Sequence, residues 1–170
     1  MVGDEPLTTD LDERYSEPGA AATPWAEAVE RLTTAEVFWL STVLPDGGPH
    51  VTPLLSVWLD GAPHFTTGAG ERKARNLEAS GRVALTTGTD TLGHGLDIVV
   101  RGSARRVTDH TTLTAVAKAY LAKYGEEWSF TARDAALHLA EGGAVLAFRI
   151  EPETVFGFRK GTYSQTRWRF

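Results

Sequence analysis

Between Glu36 and Thr67 the chain carries three segments rich in β-branched and aromatic residues, separated by turn signals that leave little freedom of connection. Val37-Phe38-Trp39-Leu40-Ser41-Thr42-Val43-Leu44 runs into the turn Pro45-Asp46-Gly47-Gly48-Pro49. His50 to Leu59 follows, then Asp60-Gly61, a pair that favours the positive φ angles of a tight hairpin. Ala62 to Thr67 is the third strand. Strands joined by such short turns are antiparallel neighbours, so the rest of the chain must build around a meander. Gly81 to Gly88, Leu96 to Val107, Gly143 to Ile150 and Thr154 to Arg159 bring the expected total to about seven strands. Gly102 is expected at a bulge or bend and Glu151-Pro152 at a corner. The pattern predicts a mainly β chain with peripheral helices, arranged as a small antiparallel barrel. Apolar residues on both faces of several strands imply an outer surface covered by helices or by a partner subunit.

Helical periodicity is confined to a few places. Thr23-Pro24 reads as an N-cap and first helical residue, with Trp25, Ala28, Val29 and Leu32 on one apolar face. Asp109 caps a longer helix carrying Leu113, Val116, Ala117, Tyr120, Leu121 and Tyr124, which Gly125 ends. Thr131 with Asp134 resembles a capping box opening a second short helix to about Ala140. Residues 1–22 are acidic and lack an apolar period, which predicts a mobile arm ahead of a single domain over 23–170.

Composition narrows the chemistry by exclusion. A net charge of −5 argues against general nucleic-acid binding. The absence of cysteine removes disulfides and thiolate metal sites. The five histidines show no compact ligand spacing, so no metal is expected. No apolar run reaches membrane-spanning length, and a cytoplasmic protein is the default expectation. No nucleophile elbow, P-loop or dinucleotide fingerprint is present, and no catalytic residue stands out.

What remains is Phe65-Thr66-Thr67-Gly68-Ala69-Gly70-Glu71-Arg72-Lys73-Ala74-Arg75-Asn76-Leu77, a strand end, a small-residue turn and a helix start dense in cations. Cations this early oppose the helix dipole unless a negative group sits there, and a helix N-terminus suits an anion. Arg72, Lys73 and Arg75 offer charge-assisted bonds to phosphate. Asn76 either bonds the ligand or ties down the turn. Pro53 interrupts a strand, a position confined to edges and bulges, and leaves neighbouring backbone groups free for another partner.

The ordered series Pro49-His50-Val51-Thr52-Pro53-Leu54, Trp58-Leu59-Asp60-Gly61, Phe65-Thr66-Thr67, Arg72-Lys73-Ala74-Arg75-Asn76-Leu77, Gly81-Arg82-Val83-Ala84-Leu85 and Val99-Val100-Arg101-Gly102-Ser103-Ala104 resembles the split-barrel flavin-binding family. That family includes pyridoxamine 5′-phosphate oxidase and the actinobacterial flavin/deazaflavin oxidoreductases. The resemblance implies an antiparallel split β-barrel of the FMN-binding type, working as a homodimer with the cofactor at the interface. It places Arg72 and Lys73 on the cofactor phosphate, Thr66 and Thr67 along the phosphate end, and the backbone of Val51, Thr52, Pro53 and Leu54 against the ring. Trp58 and Trp168 are expected to wall the substrate. The second strand lacks the arginine and lysine that pyridoxamine-phosphate oxidases carry there, and Lys73-Ala74-Arg75-Asn76-Leu77 resembles the deazaflavin branch, whose cofactor is coenzyme F420. The resemblance therefore implies an F420-dependent oxidoreductase acting on an electrophilic small molecule, with an FMN-binding oxidoreductase or a non-catalytic flavin/deazaflavin carrier as the alternatives.

Overall fold

The computed structural model describes residues 5–140 and 142–170. The elements in chain order are β1 (Thr8–Leu11), α1 (Trp25–Thr34), β2 (Phe38–Val43), β3 (Pro49–Leu54), β4 (Ser56–Leu59), β5 (Ala62–Gly68) and α2 (Arg72–Ala79). They continue with β6 (Arg82–Thr87), β7 (Gly95–Val107), α3 (His110–Tyr124), β8 (Phe130–Arg133), β9 (Ala136–Leu139), β10 (Ala144–Lys160) and β11 (Ser164–Arg169). All pairings are antiparallel, and the main path runs β1-β11-β10-β7-β6-β2-β3. The sheet does not close: β1 and β3 end the path, as expected of a split barrel.

The split is made on β10. Along Val145–Arg149 this strand pairs with β5, and from Thr154 it pairs with β11 instead, while β7 follows it from Ala147 to Lys160 and β9 takes Ala144 and Val145. The register shifts between Pro152 and Thr154, opposite Gly102. A Cβ on Gly102 would lie 2.0 Å from the Glu151 carbonyl oxygen, so only glycine permits this approach. The bend expected at Gly102 is thus shared with the corner expected at Glu151-Pro152.

Two cores result. Inside the barrel, Leu40, Phe65, Leu85, Ile98, Val100, Ile150, Val155 and Trp168 pack with Trp25, Ala28 and Leu32 of α1. Outside it, Leu113, Val116, Ala117 and Tyr120 of α3 pack on Val57, Val107, Leu137 and Ala147. The segment predicted as one strand over 50–59 breaks at Leu55, because the chain leaves β2 there to join β5. α3 satisfies the backbone exposed at the break. Tyr120 Oη donates to Leu55 O at 2.9 Å, and Lys123 Nζ donates to Ser56 O at 2.8 Å. The stripe of Tyr120 and Tyr124 therefore serves the packing of this joint.

Three further expectations need correction. The helix predicted over 131–140 is the β8–β9 hairpin, whose turn holds Asp134 and Ala135 at φ 52° and 55°. Leu137 is buried against α3 and Phe130 meets Tyr120 edge-on, so tertiary packing overrides the local capping signal. The arm expected to be mobile contributes β1, which pairs with β11 from Thr8–Arg169 to Leu11–Thr166. Short polar edge strands lack an apolar period, which hid it from sequence. The N-cap of α1 is Pro24, not Thr23, whose backbone N–H instead donates to Thr166 Oγ1 at 2.8 Å. Asp60-Gly61 does form the tight turn, at φ 47° and 69°, and Asp109 does cap α3 through the N–H of Thr112.

His64 on β5 is fully buried, and its Nε2 has no partner among the described residues. Burial, reinforced by the nearby Arg149 guanidinium, pushes its pKa down from 6.5 to about 4. The unfolded chain therefore takes up this proton first, and stability present above pH 6.5 is lost as pH falls toward 4. Full loss amounts to about 3 kcal/mol. Urea unfolding at pH 7 and pH 4.5 is expected to show a smaller pH-dependent loss in His64→Leu than in the parent. Equal losses would place the acid sensitivity elsewhere.

Candidate functional site

The start of α2 resolves its adverse charge internally. Glu71 occupies the N-cap position, where its Oε1 accepts from the Gly68 N–H at 2.8 Å and its Oε2 forms an ion pair with Lys73 Nζ. Burial works against this carboxylate, but hydrogen bonds from Lys73, Gly68 and Thr67 outweigh it and hold its pKa below the usual carboxylate range. Lys73 itself is buried, at 8% exposure. A chain carboxylate thus sits where the positive helix end and the lysine favour an anion. Sequence reasoning noticed the anion preference but missed Glu71, whose position immediately before the first helical residue was the available signal.

Asn76 joins α2 to the sheet. Its Nδ2 donates to Thr42 Oγ1 at 2.9 Å, and Thr42 in turn lies 3.4 Å from His50 Nδ1. Of the two roles considered for Asn76, this contact serves the tying one, although Asn76 Oδ1 is buried without a partner among the described residues. Ala74 and Leu77 face the core. Arg72 and Arg75 lie on the opposite, exposed side of α2, and their side chains make no ion pair or hydrogen bond among the described residues. The four polar residues expected on α2 therefore divide: Lys73 and Asn76 face inward, Arg72 and Arg75 outward.

Strand alternation divides the other expected residues as well. Thr67 is buried and bonds toward Glu71, whereas Thr66 points to the opposite face and lies against the Tyr120 hydroxyl. Thr66 therefore does not share the side-chain site at α2. On β3, Val51 and Pro53 face outward, while Thr52 and Leu54 are partly buried, with Thr52 Oγ1 lacking a partner. Among the described residues β3 pairs only with β2, which leaves its other backbone edge open. Pro49 and Pro53 remove N–H groups from this strand, which matches its edge position.

Neither tryptophan lies at this site. Trp168 is fully buried, stacked among Trp25 and Gly157, and cannot wall a substrate in this chain. Its alternation on β11 turns it to the interior. Trp58 pairs with Pro63 at the end of β5 remote from Gly68 and α2, and packs against Trp25.

The family model for pyridoxamine 5′-phosphate oxidase matches residues 24–158. The chain belongs to the pyridoxamine 5′-phosphate oxidase family. No curated protein matches its sequence. Among solved structures, a conserved hypothetical protein of Mycobacterium tuberculosis aligns with TM-score 0.65 at 22% identity, covering 81% of this chain and 85% of that one. A heme-binding protein of Mycobacterium smegmatis aligns with TM-score 0.67 at 16% identity, covering 86% of this chain but only 59% of that one. An FAD-binding protein of Mycobacterium smegmatis gives TM-score 0.57 at 19% identity, covering 87% and 98%. At such identities these likenesses concern the fold, and this family member keeps the flavin-binding type of split barrel.

The Glu71–Lys73 pair sets a condition on any external anion, which must displace or reorganise it. Glu71→Gln is expected to raise affinity for inorganic pyrophosphate at least about tenfold in calorimetric titration, since one charge-assisted bond is released. An unchanged dissociation constant would mean that anions do not compete for Lys73.

Proposed function

We propose that the chain is an oxidoreductase that binds a flavin-type cofactor between α2 and the open edge of β3, with coenzyme F420 as the cofactor. The observation that carries the reading is the juxtaposition of a cationic helix start with a strand whose free edge bears no cation. Asn76 links α2 to Thr42 of β2, and Thr42 pairs with His50 of β3, so phosphate-binding and ring-seating elements are rigidly coupled. Unpartnered buried acceptors at Asn76 Oδ1 and Thr52 Oγ1 fit a polar ligand, and so do the uncommitted guanidinium groups of Arg72 and Arg75. In this reading Arg72, Lys73 and Arg75 hold phosphate, Thr67 braces the Glu71 hinge, and the backbone of Val51 to Leu54 seats the ring. When bound, a deazaflavin supplies two-electron hydride transfer, here to an electrophilic or unsaturated small molecule. The resemblance of Lys73 to Leu77 to the deazaflavin branch, with neither arginine nor lysine from Thr52 to Val57, supports F420 over FMN.

The reading includes a homodimer. On the outer sheet face Pro53, Trp39, Thr86, Val99, Phe156 and Arg167 form one cross-strand row. Trp39 is 46% exposed and Val51 55% exposed, a cost that a second copy would remove by covering the face. β3, with its open edge, borders this row, which would put the cofactor at the interface.

Absorbance of the purified chain and titration with F420 and FMN test the proposal. F420 binding with turnover of an unsaturated substrate is the expected result. Tight FMN without F420 binding selects the FMN-dependent alternative, binding without turnover selects a carrier, and a Soret band selects a heme protein like the mycobacterial neighbour. In Arg72→Ala/Lys73→Ala, cofactor affinity is expected to fall about a hundredfold at low salt and less at high salt. Retained affinity would remove the phosphate assignment.

A further inference from the structure

Trp58 is left over by the cofactor reading, yet it borders a surface recess. That recess, of about 460 Å³, lies between the start of α1 and the β4–β5 turn and is lined by Glu5, Trp25, Ala26, Val29, Trp58, Asp60 and Gly61. We propose that it binds a small organic cation bearing a quaternary ammonium group.

Three observations converge on that class of ligand. The wall is aromatic and braced: Trp58 meets Trp25 at 6.0 Å and 67°, and Trp25 packs in turn on Trp168 at 5.4 Å and Phe170 at 5.1 Å. Rings held this firmly lose little freedom on binding, and a cation over an indole face is attracted by its quadrupole. The charged side chains of the lining are both carboxylates, Glu5 and Asp60, and neither makes an ion pair among the described residues. The nearby cation, Arg149, is committed to the hairpin backbone, where its Nη2 donates to Asp60 O at 3.0 Å. An anion would be repelled here, and a neutral apolar ligand would strip water from two carboxylates without compensation. A sugar could stack on Trp58 and donate to the two carboxylates, but it would leave their negative charge without a counter-charge.

The site lies off the α2 cluster, so it stands or falls independently of the cofactor. The test uses the full chain, choline, the uncharged isostere in which carbon replaces the quaternary nitrogen, and glucose. Each is titrated while the Trp58 indole N–H resonance is followed, assigned by its loss in Trp58→Phe. Choline is expected to shift that resonance saturably and to bind roughly fivefold more tightly than the isostere. Glu5→Gln/Asp60→Asn is expected to weaken choline severalfold at an unchanged melting temperature, because asparagine also tolerates the positive φ of 47° at residue 60. Equal binding of choline and isostere, preference for glucose, an unmoved Trp58 resonance, or full choline affinity in the double variant would each overturn the proposal.

Discussion

The close approach of Glu151 O to Gly102 is the contact on which the architecture turns. Because no side chain intervenes, β10 can slip its register by one residue after Pro152 while keeping β7 as a neighbour. The slip redirects the far side of β10 from β5 to β11. One long strand thereby serves two sheet halves, and the barrel stays open between them. Both cores depend on this switch. Phe148, Ile150 and Val155 face the barrel interior, while Ala147 faces α3. β5 then arrives with alternate residues committed to opposite environments, Phe65 and Thr67 to one and His64 and Thr66 to the other.

The polarity of the candidate site follows from where β5 ends. α2 begins three residues after β5 leaves the sheet, so its N-terminus must face the barrel rim with Lys73 turned inward. A buried ammonium at the positive end of a helix is unfavourable twice over, through desolvation and through the dipole. Glu71 offsets both, and the same carboxylate accepts the N–H of Gly68 that the turn would otherwise strand. The free chain is therefore self-consistent electrostatically. Any incoming anion would have to displace one well-placed carboxylate from Lys73 before it gains anything. Affinity at such a site is set by a difference between two anions, not by the number of cations near the helix.

How much of this was legible in the sequence depends on whether a signal was local. The Asp60-Gly61 turn and the Asp109 cap are decided by a few neighbouring residues, and both were read correctly. The β8–β9 hairpin was misread because Thr131 and Asp134 fit a capping box, while the deciding contacts come from α3, about ten residues upstream of Phe130. β1 was missed because its partner, β11, is the last strand of the chain. Assigning Thr66 with Thr67 ignored the period of two that sends adjacent strand residues to opposite faces. The ion pair of Glu71 with Lys73 was within reach, since both residues flank the helix start, but a cationic run invites attention to external anions first.

The two open edges of the sheet are protected by different means, and the difference bears on where a ligand can sit. At β1 the rim is ionic: Asp10 pairs with Arg169, and Asp12 chelates Arg14 at 2.8 and 2.9 Å. A strand docking there would have to break those pairs. At β3 protection comes from Pro49 and Pro53, which withhold the N–H groups that a continuous ladder needs. Such an edge defeats a strand, whose demand for hydrogen bonds is regular, yet it keeps the carbonyl groups of the prolines and the full backbone of Val51. A planar heterocycle makes no regular demand; it needs a few donors and acceptors at fixed positions beside a flat surface. The residues that keep β3 from pairing with another chain are thus the ones that leave it usable by a ring, and they lie one strand away from the Thr42–Asn76 tie to the cationic helix.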